Sequence, residues 1–150
     1  EMTDAMQIRW DIEYRPGTLK VVGLKEGKAV TEMIHETAGE PVALLAAADE
    51  DGISADGTGI GHVAVRVVDD EGRFVPHANP ELTFEVSGEG RLLGLENGDP
   101  IDSTNYQINS RKAFNGMALA VVQGGKETGN IKLTVRSEGL TESSVEIKVG

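Results

Sequence analysis

An all-β fold is what this chain predicts, and three observations predict it. The first is a period of two: in His62-Val63-Ala64-Val65-Arg66-Val67-Val68 and in Leu82-Thr83-Phe84-Glu85-Val86, alternate side chains are apolar, so each segment turns one row inward and one outward. The second is regular punctuation by turn formers at Asp51-Gly52, Asp56-Gly57, Asp69-Asp70-Glu71-Gly72, Gly88, Gly124-Gly125 and Glu138-Gly139. The third is that no segment repeats its apolar residues at helical spacing.

The elements follow in order. Ile8, Trp10, Ile12 and Tyr14 alternate with Arg9, Asp11 and Glu13, which predicts a strand. Arg15-Pro16-Gly17-Thr18 then supplies a turn, with proline pre-set at the first corner and glycine free to take positive φ at the second, so a hairpin is expected. Strands over 19–24 and 30–37 continue across Glu26-Gly27-Lys28. Three strands in so short a stretch bury too little apolar surface to stand alone. Residues 1–38 therefore read as a partial, three-stranded β segment, the C-terminal part of a truncated domain.

Ala38-Gly39-Glu40-Pro41 breaks the pattern and marks the boundary, because proline ends one strand and the next begins beyond it. Residues 39–150 then offer strands near 42–48, 60–68, 81–86, 91–95, 117–123, 130–136 and 143–149. Seven short strands with regular turns make an immunoglobulin-like β-sandwich the expected architecture, and the partial segment before it is expected to belong to a second domain of that kind. The exception is 101–116, a long polar connection holding Asn105, Tyr106, Arg111 and Phe114; connections of this length are usually functional or specially packed.

The totals exclude several functions. In 150 residues, 25 acidic side chains against 14 basic give a net charge of −11, which repels phosphate backbones and anionic membranes, so neither nucleic acid nor membrane is an expected partner. There is no cysteine, which removes disulfides, thiolate chemistry and the usual zinc ligands together. The longest apolar runs, such as 41–48, fall far short of the ~20 residues a membrane helix requires, and a soluble protein is expected. Glu1-Met2-Thr3-Asp4-Ala5-Met6 lacks the basic start and apolar run of a signal peptide, so a longer polypeptide with any targeting signal upstream is expected.

Two sets of residues carry a family resemblance. Trp10-Asp11-Ile12-Glu13-Tyr14-Arg15-Pro16-Gly17-Thr18-Leu19-Lys20 resembles the W-x-V-x-Y-x-P-G-x-L-K stretch near the end of the fourth domain of family 2 glycoside hydrolases of the bacterial β-galactosidase type. Thr37-Ala38-Gly39-Glu40-Pro41, Ala55-Asp56-Gly57, Asn97-Gly98-Asp99-Pro100 and Arg111-Lys112-Ala113-Phe114-Asn115-Gly116 resemble the fifth, C-terminal immunoglobulin-like domain that follows it. The resemblance implies a parent enzyme that hydrolyses terminal β-linked sugars by a retaining mechanism, with a periplasmic or secreted bacterial setting the favoured expectation. It also implies that both catalytic glutamates lie in a (β/α)₈ barrel this chain does not contain. The chain is then a non-catalytic structural and interdomain module whose partners are the parent's other domains. Ala55-Asp56-Gly57 and Asp70-Glu71-Gly72-Arg73-Phe74-Val75-Pro76 also resemble repeats of bacterial adhesins and invasins, the alternative reading.

Candidate chemistry is thin. Glycoside hydrolysis needs two carboxyl groups about 5–9.5 Å apart, one of them with a raised pKa; Asp49, Glu50, Asp51, Asp69, Asp70 and Glu71 read instead as solvated turn residues. Asp49-Glu50-Asp51-Gly52 lacks the spacing of a calcium loop, His35, His62 and His77 show no paired spacing, and no glycine-rich loop joins a strand to a helix, so no cofactor or metal is expected. A sugar-binding module needs exposed aromatic platforms. Trp10 and Tyr14, about 13 Å apart on one strand face, read as filling the truncated domain, and Phe74, Phe84 and Phe114 read as core. Tyr106 is left available to a ligand. The candidate site is therefore the loop carrying Asn97, Asp99, Tyr106 and Arg111, read as facing a ligand or the parent's other domains, although turn chemistry alone accounts for Asn97-Gly98-Asp99-Pro100. The segment 7–37, with an open sheet edge and uncovered apolar faces, is expected to self-associate or to be more mobile than the sandwich.

Overall fold

The computed structural model describes residues 8–150, so the opening run and Gln7 lie outside the described residues. The chain divides into two compact units, Glu1–Thr37 and Ala38–Gly150.

The first unit is built on an antiparallel hairpin of β1 (Thr18–Lys25) and β2 (Lys28–Glu36), paired from Thr18↔Glu36 to Lys25↔Lys28. Its two-residue loop places Glu26 at φ 52° and Gly27 at φ 77°, the double positive φ that matches the twist of paired strands. Among the described residues the expected third strand is absent: residues 8–14 run without ladder partners, and the segment is two-stranded. Gly17 closes the open end of the hairpin, its amide donating to Thr37 Oγ1 at 3.1 Å and its carbonyl accepting the Thr37 amide at 2.9 Å. Trp10 and Tyr14, expected to fill a domain interior, are exposed.

The second unit is a two-sheet sandwich. Its strands are β3 (Ala43–Ala48), β4 (Gly52–Ile53), β5 (Ile60–Val68), β6 (Glu81–Gly88), β7 (Gly90–Glu96), β8 (Ser110–Lys112), β9 (Met117–Gly124), β10 (Gly129–Arg136) and β11 (Ser143–Val149). One sheet has the order β4-β11-β10-β6-β8 and the other β3-β5-β9-β7; pairing is antiparallel except for β4 beside β11. The predicted alternation is what fills the space between them. Val63, Val65 and Val67 of β5 and Ala118, Ala120 and Val122 of β9 meet Leu82 and Phe84 of β6 and Ile131, Leu133 and Val135 of β10, all buried. The seven expected strands are present. Two short elements escaped the sequence: β4, within the Asp51-Gly52 turn, and β8, inside the long connection 101–116. Strands of two or three residues are too short to show a period. Phe74 is exposed and Phe114 only half-buried, so of the three phenylalanines Phe84 alone is fully in the core.

The step from β6 to β7 carries the chain from one sheet to the other and demands glycine. Gly88 sits at φ 90°, and a Cβ there would lie 2.0 Å from the Asn130 carbonyl oxygen. The turn into β9 has the same constraint: Asn115 at φ 49° and Gly116 at φ 77° form it, and a Cβ on Gly116 would meet the Val75 carbonyl oxygen at 2.3 Å.

Asp69 overturns its reading as a solvated turn residue. It is 2% exposed, and its carboxylate accepts from the amides of Gly39 (2.8 Å), Glu71 (3.0 Å) and Arg73 (2.8 Å) and from Arg73 Nε (2.8 Å). Tight packing of the turn after β5 buries it, and burial of a carboxylate is tolerated only with this full set of donors. The Gly39 amide, with the Arg73 guanidinium and the amides of Arg73 and Glu71, holds its carboxyl far below the usual carboxylate range.

Two predictions follow from the core and from Asp69. Phe84→Asp places an unpaired charge between the sheets, a cost of several kcal/mol against a total of roughly 5–15; circular dichroism is expected to show loss of the cooperative melt. Because the folded pKa of Asp69 is depressed, the stability it contributes is complete above the unfolded pKa near ~4 and is lost as pH falls through the folded value. The difference in melting temperature between the native chain and Asp69→Asn is therefore expected to be largest near neutral pH and to narrow below about pH 4, read by thermal melts from pH 7 to pH 2.

Candidate functional site

Between β7 and β8 the chain runs for thirteen residues, 97–109, and a buried arginine fixes it. Arg111 is the middle residue of β8, paired opposite Leu82 on the inward face, and it is 1% exposed. An apolar residue would normally fill such a position. The guanidinium is accepted there because its donors have partners: Nη1 donates to the Leu95 carbonyl at 2.9 Å, Nε to Asp102 Oδ2 at 3.1 Å and Nη2 to the Thr104 carbonyl at 3.4 Å. Its carbon also stands 5.0 Å from the centre of the Tyr106 ring, within range of a cation–π contact. One side chain thereby ties β7, β8 and two points of the loop together.

The rest of the loop is held by side chains bonding their own local backbone, as short polar residues do in turns. Asn97 Nδ2 donates to Asp102 Oδ2 and to the Lys112 carbonyl, both at 2.9 Å, while Asn97 Oδ1 accepts the Asp99 amide at 3.0 Å. Asp99 accepts the Ile101 amide at 3.1 Å, Asp102 the Thr104 amide at 2.8 Å and Asn105 the Gln107 amide at 3.0 Å. Glu96 Oε1 receives the amides of Asn97 and Gly98 at 2.9 Å each. The backbone closes the loop against both sheets, with the Leu95 amide on the Tyr106 carbonyl and the Phe84 amide on the Asn109 carbonyl, each at 2.8 Å.

These bonds decide the electrostatics. The Gly98 amide, then that of Asn97, pulls the Glu96 pKa down, and the Thr104 side chain and amide do the same for Asp102, each with a smaller pull from the Arg111 charge. Elsewhere the His62 amide lowers Asp49, and the Thr58 hydroxyl lowers Asp56. Among the described residues every carboxyl with a resolved shift moves downward, whereas a glycosidase acid must move up to hold its proton at neutral pH. The depression beside the loop, about 550 Å³, is lined in part by Asp99, Asp102, Ile108 and Phe114; Asp99 there accepts the Ile101 amide, and Asp102 the Thr104 amide and Arg111 Nε. Asp49 Oδ2 is likewise engaged by His62 Nδ1 at 2.9 Å, and no group of three or more histidines and carboxylates among the described residues is placed to hold a metal.

The structure thus brings Asn97, Asp99, Tyr106 and Arg111 into one network, but with different roles. Arg111 points into the domain, which corrects its reading as a residue facing the parent's other domains or a ligand. Its place on the inward face of β8 is not legible in the sequence, because three residues are too few to show a period. Tyr106 is 56% exposed with the Arg111 cation over its ring, and Ile101, 87% exposed, stands beside the depression. Asp102 and Glu96 were missed. The local sign was there in Asp102-Ser103-Thr104, where an acid precedes threonine by two residues, the spacing of a carboxylate that bonds its own backbone.

The fold and the loop network together define a two-sheet β-sandwich module with a long connection fastened by a buried arginine. The chain belongs to glycoside hydrolase family 2: the family model "Glycoside hydrolase family 2 C-terminal domain 5" matches residues 44–146. A second model, described only as a domain of unknown function, matches residues 1–31. The chain is 35% identical to the β-galactosidase BoGH2A of Bacteroides ovatus, over 96% of its own length and 17% of that protein's. Among solved structures it is similar to a glycosyl hydrolase family 2 member from Bacteroides cellulosilyticus, with a TM-score of 0.88 and 30% identity over 94% of this chain and 18% of that one. A β-glycosidase from Bacteroides vulgatus gives a TM-score of 0.85 and 32% identity, covering 93% and 18%. The chain therefore spans about a sixth of the length of these relatives, and the family match decides for the glycosidase module over the adhesin-like one.

If Arg111 is the fastening, Arg111→Met should lower the melting temperature by several degrees and raise hydrogen exchange across 97–109, with β5, β9 and β10 still protected. Exchange that rises uniformly, or not at all, would show that the loop is held by its turns alone.

Proposed function

We propose that this chain is the C-terminal structural and interdomain module of a β-galactosidase-like enzyme that hydrolyses terminal β-linked sugars, and that it contributes no catalytic group. The observation that carries the reading is the alignment of nearly the whole chain with a sixth of a β-galactosidase. The lowered carboxyl pKa values support it from the side of chemistry. Residues 1–38 then read as the end of one immunoglobulin-like domain and residues 39–150 as the next. The loop's exposed Ile101 and Tyr106 and its half-buried Asp99 and Asn97 are its surface toward a neighbouring domain or a ligand, with Arg111 as the fixing post beneath them. The exposed Leu24, Val30 and Met33 of the hairpin fit strands that pair within the larger polypeptide, and in the isolated chain copies are expected to pair through 7–37 instead.

One preparation tests these points. The purified chain is expected to show no turnover of aryl β-galactosides and to scatter light as a species larger than a monomer. Turnover that disappears on substituting a single carboxylate in this chain would overturn the non-catalytic reading, and a strict monomer would overturn the pairing.

A further inference from the structure

The two sheets of the sandwich turn different surfaces outward. On the five-stranded sheet the outward rows carry exposed charged side chains, Glu85 on β6, Lys132 on β10 and Glu146 and Lys148 on β11, beside the buried Thr134, in keeping with the rule that the open face of an antiparallel sheet is polar. The four-stranded sheet breaks that rule. Its cross-strand registers set Leu45, Arg66 and Met117 in one outward row, Ala47, Ala64 and Leu119 in the next, and His62 and Val121 in the third. The outward side is therefore apolar through its middle, with Glu96 of β7 at one end of the second row and the Asp49–His62 pair in the third, and its central residues Ala64, Leu119 and Val121 are still partly exposed. Arg66 stands exposed at the edge, with no ion pair to it among the described residues.

We propose that this outward face is the seat of another domain of the same polypeptide, one that presents an apolar patch with a carboxylate at its edge to meet Arg66. The inference rests on the interdomain reading above and adds the surface and the chemistry of its partner. Size selects the occupant. Three strands about 4.8 Å apart and three rows about 6.8 Å apart give a face of roughly 300 Å², Arg66 and His62 included. A freely associating dimer needs about 800 Å² from each partner. Interfaces between tethered domains total about 600–1,500 Å², so this patch suffices for one side of a small interface when a linker keeps the local concentration high. Charge points the same way: a carboxylate offered to Arg66 is complementary.

Hydroxyl-radical footprinting of the full-length polypeptide against this chain alone tests the assignment. Modification of Leu45, Met117 and Leu119 is expected to fall at least several-fold in the full-length protein, while outward residues of β10 and β11 keep their rates wherever they are measured. Arg66→Glu is expected to lower the melting temperature of the full-length protein and leave that of the chain alone unchanged. Equal modification of the three residues in both samples overturns the proposal, as does protection that the chain alone acquires on dimerising, which would make a second copy the occupant. Assaying the same full-length protein for glycosidase turnover separates the two readings. Protection without turnover keeps the docking face and removes the enzyme, and turnover without protection does the reverse.

Discussion

The sandwich depends on one contact: the inner rows of two sheets, valine and alanine from β5 and β9, leucine, isoleucine and phenylalanine from β6 and β10, filling a single dry space. Burial of apolar area is the dominant favourable term in folding, and here it acts through a strict period of two. A slip of one residue in any of these strands would exchange its core row for its solvent row, so the same alternation that supplies the energy also fixes the register. The glycine at position 88 serves this contact. It lets the chain leave one sheet and enter the other within three residues, where a side chain would strike the neighbouring backbone.

Where regular strands give out, buried charge takes over. Arg111 and Asp69 are polar residues at apolar depth, one at the edge strand β8 and one in the turn after β5. Each is surrounded by complementary groups drawn from several segments, and no buried side-chain nitrogen or oxygen among the described residues lacks a partner. Such residues specify arrangement more than they add stability, because the cost of leaving either unpaired excludes alternative loop paths. Asp69 holds Gly39, the start of the sandwich unit. Arg111 holds the long connection that would otherwise have no core of its own.

The functional picture follows from what these carboxylates and arginines are occupied with. Asp69, Glu96 and Asp102 accept backbone amides and, for Asp69 and Asp102, an arginine as well, and these bonds favour their charged forms, which ties them to holding loops in place. What the module offers is surface: one charged sheet face, one apolar sheet face, and a hairpin whose apolar side chains are open on both sides. These exposed faces, on a chain that spans about a sixth of its relatives' length, are what support the proposed interdomain role.

The sequence by itself determined the class of fold and most of its strands, because period-two alternation and turn chemistry are local properties that survive without tertiary information. It also carried the family, through an ordered set of short motifs. What only the tertiary structure decided depends on groups distant in sequence. Residues 8–14 alternate as well as any strand, yet they have no ladder, since a period of two does not supply a partner strand. Asp69 looks like any turn aspartate until Gly39 arrives from thirty residues away. Arg111 looks like a surface cation until Leu95, Asp102 and Thr104 converge on it. The outward apolarity of the four-stranded sheet is invisible strand by strand, because an outward row exists only once β3, β5 and β9 lie side by side. A period tells which residues share a face; only pairing between segments tells what that face meets.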